Sequence, residues 1–256
     1  MRRALIVMAK DPRPGLAKTR LIPAIGAAAA AGLYRSFLQD VLDATALIRA
    51  DRFIYGFPPE SLPRLDEIGE ARFRVRPQRG PTLSERMIAA FEECFNEGFG
   101  AVVMRNSDSP TLPALVLAEA LDALEGGADL VLGPDRGGGY YLVGLRSAHP
   151  ELFRGFAMST RSVLDETLRR AANAKLRAFT LRPWLDVDTA DDLAALRAEL
   201  DPANQHAVPG RAPCPRTEAF LATLPAWGSA RGKSVPAPVR PAAEGGGQPN
   251  HDRALP

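Results

Sequence analysis

The sequence contains few of the residues that build disulfide frameworks or zinc sites. Among 256 residues there are two cysteines and three histidines. Cys94 and Cys214 lie far apart, and neither belongs to a C-x-x-C pair. The histidines also lack the spacing that metal ligands show. These patterns argue against a disulfide scaffold and against a histidine or cysteine metal centre.

An excess of one charge and long apolar runs are lacking as well. The 32 basic and 30 acidic residues leave a net charge of +2. That balance does not favour a nucleic-acid partner or an anionic membrane surface. The first apolar run covers only residues 4–9, which is too short for a signal peptide or a membrane span. We therefore expect a cytoplasmic protein that binds neither nucleic acid nor membrane.

Short apolar runs alternate with helical patterns through the first 200 residues, which predicts an α/β fold with a mostly parallel sheet flanked by helices. The predicted strands are residues 4–9, 52–57, 72–77, 101–106, 129–134, 140–145 and 175–181. The predicted helices are residues 26–48, 82–97, 112–125, 160–173 and 189–200. Beyond this domain of 1–200 we expect a C-terminal extension over 201–228, with a short helix at 217–224. Residues 229–256, rich in proline, glycine and alanine, are predicted to be disordered.

Two helix starts have the spacing of a capping box. Thr82 precedes Glu85 by three residues, and Thr189 precedes Asp192 in the same way. The first of these helices also carries an apolar stripe that predicts its buried face, formed by Leu83, Met87, Ala90, Phe91 and Cys94.

A basic loop, K-D-P-R-P-G-L-A-K-T-R, follows the first predicted strand over residues 10–20. Ligands of parallel α/β sheets bind outside the carboxyl ends of the strands, so this loop is placed to hold an anion. The segment Gly15 to Thr19 resembles the end of a Walker A loop, but the first glycine of that motif is missing. The alternative is a solvated basic loop stiffened by its prolines.

Acidic residues follow two other predicted strands. Asp108 lies at the end of 101–106, where a carboxylate suits a Mg²⁺ ion that meets a diphosphate; the alternative is a turn or helix cap. Asp186 and Asp188 are two apart, so on an extended segment both face one ion. Asp191 and Asp192 are better explained as first-turn helix residues.

Three glycines, Gly137 to Gly139, precede paired tyrosines in G-P-D-R-G-G-G-Y-Y. Glycine permits close backbone approach to a ligand, whereas the alternative is a hairpin turn between two strands.

Taken in order, six of these stretches resemble the DUF2064 family, also called radical-SAM/selenodomain-associated transferase 1 or arsenosugar-biosynthesis-type glycosyltransferases. They span 10–21, 79–87, 106–112, 133–145, 159–168 and 186–193, within a match of about residues 4–200. The resemblance implies a Rossmann-like GT-A fold of the nucleotide-diphospho-sugar transferase superfamily. Molybdenum cofactor and phospholactate guanylyltransferases are more distantly similar.

The resemblance also implies a site. Asp108 becomes the principal ligand of Mg²⁺ or Mn²⁺, and Asp188, with Asp186 as an alternate, completes the metal site or orients the acceptor. Lys18, Asp108 and Asp188 are the implied catalytic residues. The implied nucleotide contacts are Lys10, Gly15, Lys18, Thr19, Arg20, Gly80, Thr82, Arg86, Gly138 and Gly139.

Three positions depart from the family pattern. Asn106 replaces the glycine of G-x-D, Gly137 stands in the acid's place of D-G-G-Y-Y, and Met158 stands where tryptophan is common. Asp135 is a nearby substitute for the missing acid.

We expect a metal-dependent transferase that moves a glycosyl group from a nucleotide sugar to a small acceptor. The alternatives are a guanylyltransferase-like nucleotidyl transfer from a nucleoside triphosphate to a phosphorylated small molecule, and a non-catalytic nucleotide-binding module. The sequence does not indicate the donor base, the acceptor or the oligomeric state.

Overall fold

The computed structural model describes residues 1–158, 160–201, 203–204 and 210–225, and residues Met1–Leu224 form one compact unit. Within these residues a seven-stranded sheet has the order β3-β2-β1-β4-β6-β5-β7. The strands are β1 Arg3–Lys10, β2 Asp51–Phe57, β3 Arg74–Pro77, β4 Ala101–Arg105, β5 Leu130–Pro134, β6 Tyr140–Leu145 and β7 Ala178–Thr180. The predicted disordered tail lies outside the described residues.

Only β6 runs against the other strands of the described sheet. It pairs antiparallel with β4 and β5, whereas β1 pairs parallel with β2 and β4, β2 with β3, and β5 with β7. The prediction of a mostly parallel α/β sheet is therefore confirmed. Because six strands point one way, the loops after β1, β4, β5 and β7 leave the same edge of the sheet.

The helices confirm most of the predicted pattern. They are α1 Ile22–Ile25, α2 Ala27–Ala46, α3 Leu62–Gly69, α4 Leu83–Asn96, α5 Ala114–Glu125, α6 Val163–Asn173, α7 Ala190–Leu200 and α8 Pro215–Thr223. Both predicted capping boxes are formed, by Thr82 with Glu85 and by Thr189 with Asp192. Helix α3 was not predicted, because it is short and its apolar residues recur only at Leu62, Leu65 and Ile68.

Helices cover both faces of the sheet. Along β1, Ala4 and Ile6 join a core with α4 and α6, whereas Leu5 points to the opposite face and packs with α5. This division follows from the alternation of side chains along a strand. The predicted stripe of α4 is buried except at Leu83, the first residue of the helix, which is 49% exposed.

Helix α8, close to the short helix predicted at 217–224, is anchored on α2. The fully buried carboxylate of Asp40 accepts hydrogen bonds from the backbone N–H groups of Arg216 and Thr217, at 3.3 and 2.8 Å. Phe220 lies over Gly32, where a Cβ atom would be 2.5 Å from its ring. Helix α8, within the predicted C-terminal extension, is thus packed on α2. No helix in the described part of the chain is long and apolar enough to cross a membrane.

Candidate active site

Lys18 is the centre of the polar cluster at the carboxyl edge of the sheet. Its Nζ lies 2.6 Å from Asp108 Oδ1 and 3.0 Å from Asp188 Oδ1, and it donates to the carbonyl of Val187 at 2.6 Å. The side chain is only 3% exposed. Burial alone would lower the pKa of Lys18, but the carboxylates of Asp108, Asp188 and Asp186 outweigh it and raise that pKa. The structure thus brings together the three predicted catalytic residues.

The local backbone directs Lys18 inward. Its φ of 49° lies in the left-handed region that non-glycine residues rarely adopt, and the residue precedes a short 3₁₀ turn over Thr19–Leu21. The side chain points into the site while Thr19 and Arg20 stay exposed. The spacing of residues in the sequence did not indicate that Lys18 points inward.

Three carboxylates surround Lys18. Asp108, Asp186 and Asp188 each offer one oxygen, and these oxygens lie within 4.8 Å of one another. Asp186 Oδ1 is buried and has no hydrogen-bond partner among the described residues. A compact set of oxygen donors with an unpartnered buried oxygen suits a hard divalent cation such as Mg²⁺ or Mn²⁺. Asp135 is not a member of this group.

The surroundings shift the pKa values of Asp186 and Asp188 in opposite directions. Burial, reinforced by the charge of Asp108, raises the pKa of Asp186 to about 8. Burial also opposes ionisation of Asp188, but Lys18, Arg20 and Lys10 outweigh it and lower the pKa of that carboxyl. A carboxyl group held against its charged form gains a favourable partner when a cation binds.

Backbone contacts bring the two acidic segments together. Val187 donates its N–H to the carbonyl of Asp108 at 3.1 Å, while its own carbonyl accepts from Lys18. Asp186 and Asp188, on either side of Val187, therefore both reach the cluster, as their spacing predicted. Asp192 acts as a helix cap: its Oδ2 accepts from the N–H groups of Asp188 and Thr189 at 3.1 and 2.8 Å.

The last residue of β1 and the loop after it supply two further cations, Lys10 and Arg20. Arg20 lies 3.6 Å from Asp188 and is 66% exposed, and the exposed Lys10 contributes to the potential at Asp188. Gly15 has a φ of +83° and open space around it. Arg13 instead pairs with the fully buried Asp11, together with Arg64.

Tyr34 and Gln78 hold the ends of the strands and the loops of the site in place, but neither could be identified from the sequence. The Tyr34 hydroxyl accepts from the Lys10 N–H and hydrogen-bonds Ser107 Oγ, each at 2.8 Å, which joins the loops after β1 and β4. Gln78 donates to the carbonyls of Ala9 and Tyr55, across the ends of β1 and β2. Tyr34 looks like an ordinary member of an apolar helix stripe, and Gln78 like a loop residue.

Gly80, Thr82 and Arg86 form the second predicted nucleotide segment. Arg86 donates to the Gly80 and Pro81 carbonyls at 2.8 and 3.2 Å and stacks 3.5 Å from the centre of the Phe57 ring. Gly80 has a φ of +124°, and a Cβ there would meet Glu85 at 2.7 Å. These contacts shape the loop; a role in nucleotide binding stays a prediction.

The three-glycine stretch forms the turn of a hairpin between β5 and β6. Asp135 Oδ1 accepts from the N–H groups of Gly137 and Gly139, at 2.6 and 2.9 Å, so its carboxylate holds the turn. Gly138 has a φ of +89°, and a Cβ there would lie 2.1 Å from the Arg161 carbonyl oxygen. Glycine is therefore required at position 138 by backbone conformation and packing. Nucleotide contacts by Gly138 and Gly139 remain predictions.

The match to a solved structure over most of the chain gives the class of fold, that of the nucleotide-diphospho-sugar transferases. Residues 42–160 match the family described as "Uncharacterized protein conserved in bacteria (DUF2064)". A protein from Desulfovibrio desulfuricans G20, described as a "putative nucleotide-diphospho-sugar transferase", is 33% identical, with a TM-score of 0.76 over 87% of this chain and 95% of its own. This chain belongs to the DUF2064 family.

Two more distant solved structures share the fold alone. A cytidylyltransferase from Leptospira borgpetersenii is 12% identical, with a TM-score of 0.54 over 77% of this chain and 86% of its own. A 4-diphosphocytidyl-2C-methyl-D-erythritol synthase from Anaerococcus prevotii is 14% identical, with a TM-score of 0.55 over 78% and 96%. No curated protein matches the chain.

Proposed function

We propose that the protein is a divalent-metal-dependent transferase that moves a glycosyl group from a nucleoside-diphosphate sugar to a small acceptor. The observation that carries this proposal is the cluster of Asp108, Asp186 and Asp188 around Lys18, at the edge where α/β folds bind ligands. The similarity to the Desulfovibrio protein, whose description names a nucleotide-diphospho-sugar transferase, supports the same class.

The chain's own groups have distinct tasks in this reaction. Asp108, Asp186 and Asp188 would hold Mg²⁺ or Mn²⁺, which supplies positive charge beside the donor diphosphate when bound. Lys18, Lys10 and Arg20 stabilise the negative charge of the departing nucleoside diphosphate. Tyr34 links the end of β1 to the loop after β4, and Gln78 links the ends of β1 and β2. The charged groups are therefore held in place before the donor binds.

Nucleotidyl transfer is the second candidate, in which a substrate phosphate attacks the α-phosphorus of a nucleoside triphosphate and pyrophosphate leaves. The Leptospira protein that shares this fold is described as a cytidylyltransferase, which motivates this candidate. The same carboxylates and cations would serve this reaction, because pyrophosphate and nucleoside diphosphate are similar leaving groups.

A thermal-shift panel distinguishes these reactions. Wild-type protein is heated with four nucleoside triphosphates, or with UDP-glucose and GDP-mannose, each with and without Mn²⁺. A ligand that binds the native state raises the melting temperature, and glycosyl transfer predicts Mn²⁺-dependent shifts with a nucleotide sugar. Shifts with triphosphates alone would favour nucleotidyl transfer, and no Mn²⁺-dependent shift would contradict both.

Two matched variants test whether the Mn²⁺-dependent shift depends on the proposed metal site. Asp108→Asn should abolish the Mn²⁺-dependent shift while leaving the ligand-free protein folded. Asp122→Asn removes a carboxylate that is 66% exposed and pairs with Arg3 at the start of β1, away from the site, so it should behave as wild type. Equal shifts in Asp108→Asn and wild type would show that Asp108 is not a metal ligand.

A further inference from the structure

Arg105, the last residue of β4, is buried in an unusual way. It is 1% exposed and ranks among the largest fully buried side chains of the described residues. No carboxylate in the described part of the chain forms an ion pair with it, although Asp108 lies close enough to contribute to its potential. Burying a guanidinium without a paired acid is costly, because the ion loses its hydration.

The hydrogen bonds of Arg105 enclose the loop that carries Asp108. Nη2 donates to the Ser109 carbonyl at 2.8 Å, and Nε donates to the Asn106 carbonyl at 3.2 Å. Nη1 lies 3.5 Å from Thr45 Oγ1, on α2. Asn106 and Ser109 lie on either side of Asp108 in the sequence, so one planar guanidinium fork binds the backbone at both ends of this turn. Burial lowers the pKa of Arg105 to about 9, which still leaves the group charged at neutral pH.

We propose that Arg105 is a positioning residue that fixes the 106–109 loop and, through it, the carboxylates of the divalent-cation site. The inference rests on the proposed function, because that function requires the cation. Displacement of this loop would reach both acidic segments, since the Asp108 carbonyl accepts from Val187, between Asp186 and Asp188. Mg²⁺ requires near-ideal ligand geometry, so small displacements weaken its binding.

Arg105 could affect cation binding through its position or through its charge alone, and the two hypotheses predict opposite changes in cation affinity when the guanidinium is removed. A buried positive charge near the site repels a divalent cation, so loss of charge alone would strengthen cation binding. Loss of the fork, in contrast, would weaken it. Lysine keeps the charge but lacks the planar fork that reaches both carbonyls. Arg105→Met and Arg105→Lys should therefore both weaken binding if Arg105 acts through position.

The experiment measures Mn²⁺ affinity by isothermal titration, and amide hydrogen exchange of residues 106–109, in full-length protein. The control is Val103→Ala, a buried position on the same strand whose side chain packs with α5. We expect both Arg105 variants to bind Mn²⁺ at least tenfold more weakly and to exchange faster at 106–109. Val103→Ala should stay within twofold of wild type in both measurements.

The proposal is overturned if either Arg105 variant binds Mn²⁺ within twofold of wild type or more tightly. If Arg105→Met does not fold, Arg105→Lys alone decides by the same criterion. If wild-type protein binds no Mn²⁺, the proposed metal site is contradicted, and hydrogen exchange decides the role of Arg105 separately: unchanged exchange at 106–109 would refute positioning.

Discussion

Lys18 joins the basic loop and the acidic cluster into one site. The sequence predicted that both features lie at the carboxyl edge of the sheet, because each follows a strand. It did not predict that Lys18 would be almost completely buried between Asp108 and Asp188, since that depends on the left-handed backbone at Lys18. The ammonium group occupies the carboxylates that a divalent cation would use.

Removing that ammonium group should therefore raise the affinity for Mn²⁺ measured without nucleotide. We expect Lys18→Met to bind Mn²⁺ on the order of tenfold more tightly, or about 1.4 kcal/mol, because three carboxylates lose their internal counter-charge. Isothermal titration measures this change. The same variant should bind nucleotides more weakly, because a phosphate contact is lost.

Arg20→Met is the matched control for Lys18→Met. It also removes one positive charge near Asp188, but Arg20 is 66% exposed and 3.6 Å away, so solvent screens its effect. Its Mn²⁺ affinity should change by less than about twofold. Equal affinities in the two variants would show that Lys18 does not compete for the carboxylates.

Other residues of the site could not be found from the sequence for a common reason. Tyr34 lies within an apolar helix stripe, and Arg105 ends an apolar strand, so neither interrupts its pattern. Their importance arises from contacts with residues far away in the chain, such as Ser107 for Tyr34. Periodicity reports which face of an element is buried, not which hydrogen bonds a buried polar group makes.

At the scale of elements, short sequence motifs predicted those helix starts and turns that are stabilised by contacts between residues close in the sequence. The capping boxes at Thr82 and Thr189 gave the starts of α4 and α7, because the cap forms between residues three apart. The glycine turn before β6 was open to two interpretations, and the structure shows the hairpin. Helix α3 was missed because its residues Leu62–Gly69 make up barely two turns.

The anchoring of α8 leads to a prediction about stability. Asp40 accepts two backbone N–H groups at the start of α8 while fully buried. Asp40→Asn would turn an amide donor toward one of these donors and leave it unsatisfied. The free energy of unfolding should fall by roughly 1 to 3 kcal/mol. Urea unfolding measures the loss, and hydrogen exchange should show it first in α8.

Asp122→Asn provides the comparison for this substitution. The same chemical change at an exposed position should alter the free energy of unfolding by less than about 0.5 kcal/mol. A loss of stability no larger in Asp40→Asn than in Asp122→Asn would mean that the buried cap does not hold α8 to α2.

At the scale of the whole molecule, the alternation of strands and helices was sufficient to predict the sheet, and the ordered motifs were sufficient to predict the family. The antiparallel insertion of β6 between β4 and β5 was not predicted, because strand order depends on long-range pairing that periodicity does not encode. That arrangement brings the hairpin turn of Asp135 to the same edge as Asp108. Lys18, Asp108 and the pair Asp186 and Asp188 thus come together from three segments that lie far apart in the sequence.

The central claim is that Asp108, Asp186 and Asp188 together hold one divalent cation. Isothermal titration of Mn²⁺ into wild-type protein, and into three variants that each replace one of these aspartates with asparagine, tests it directly. We predict one saturable site in wild type and at least about tenfold weaker binding in each variant, since each loses a charged ligand. Asp122→Asn should bind as wild type does. Absence of saturable binding in wild type, or wild-type affinity in any of the three aspartate variants, would contradict the account.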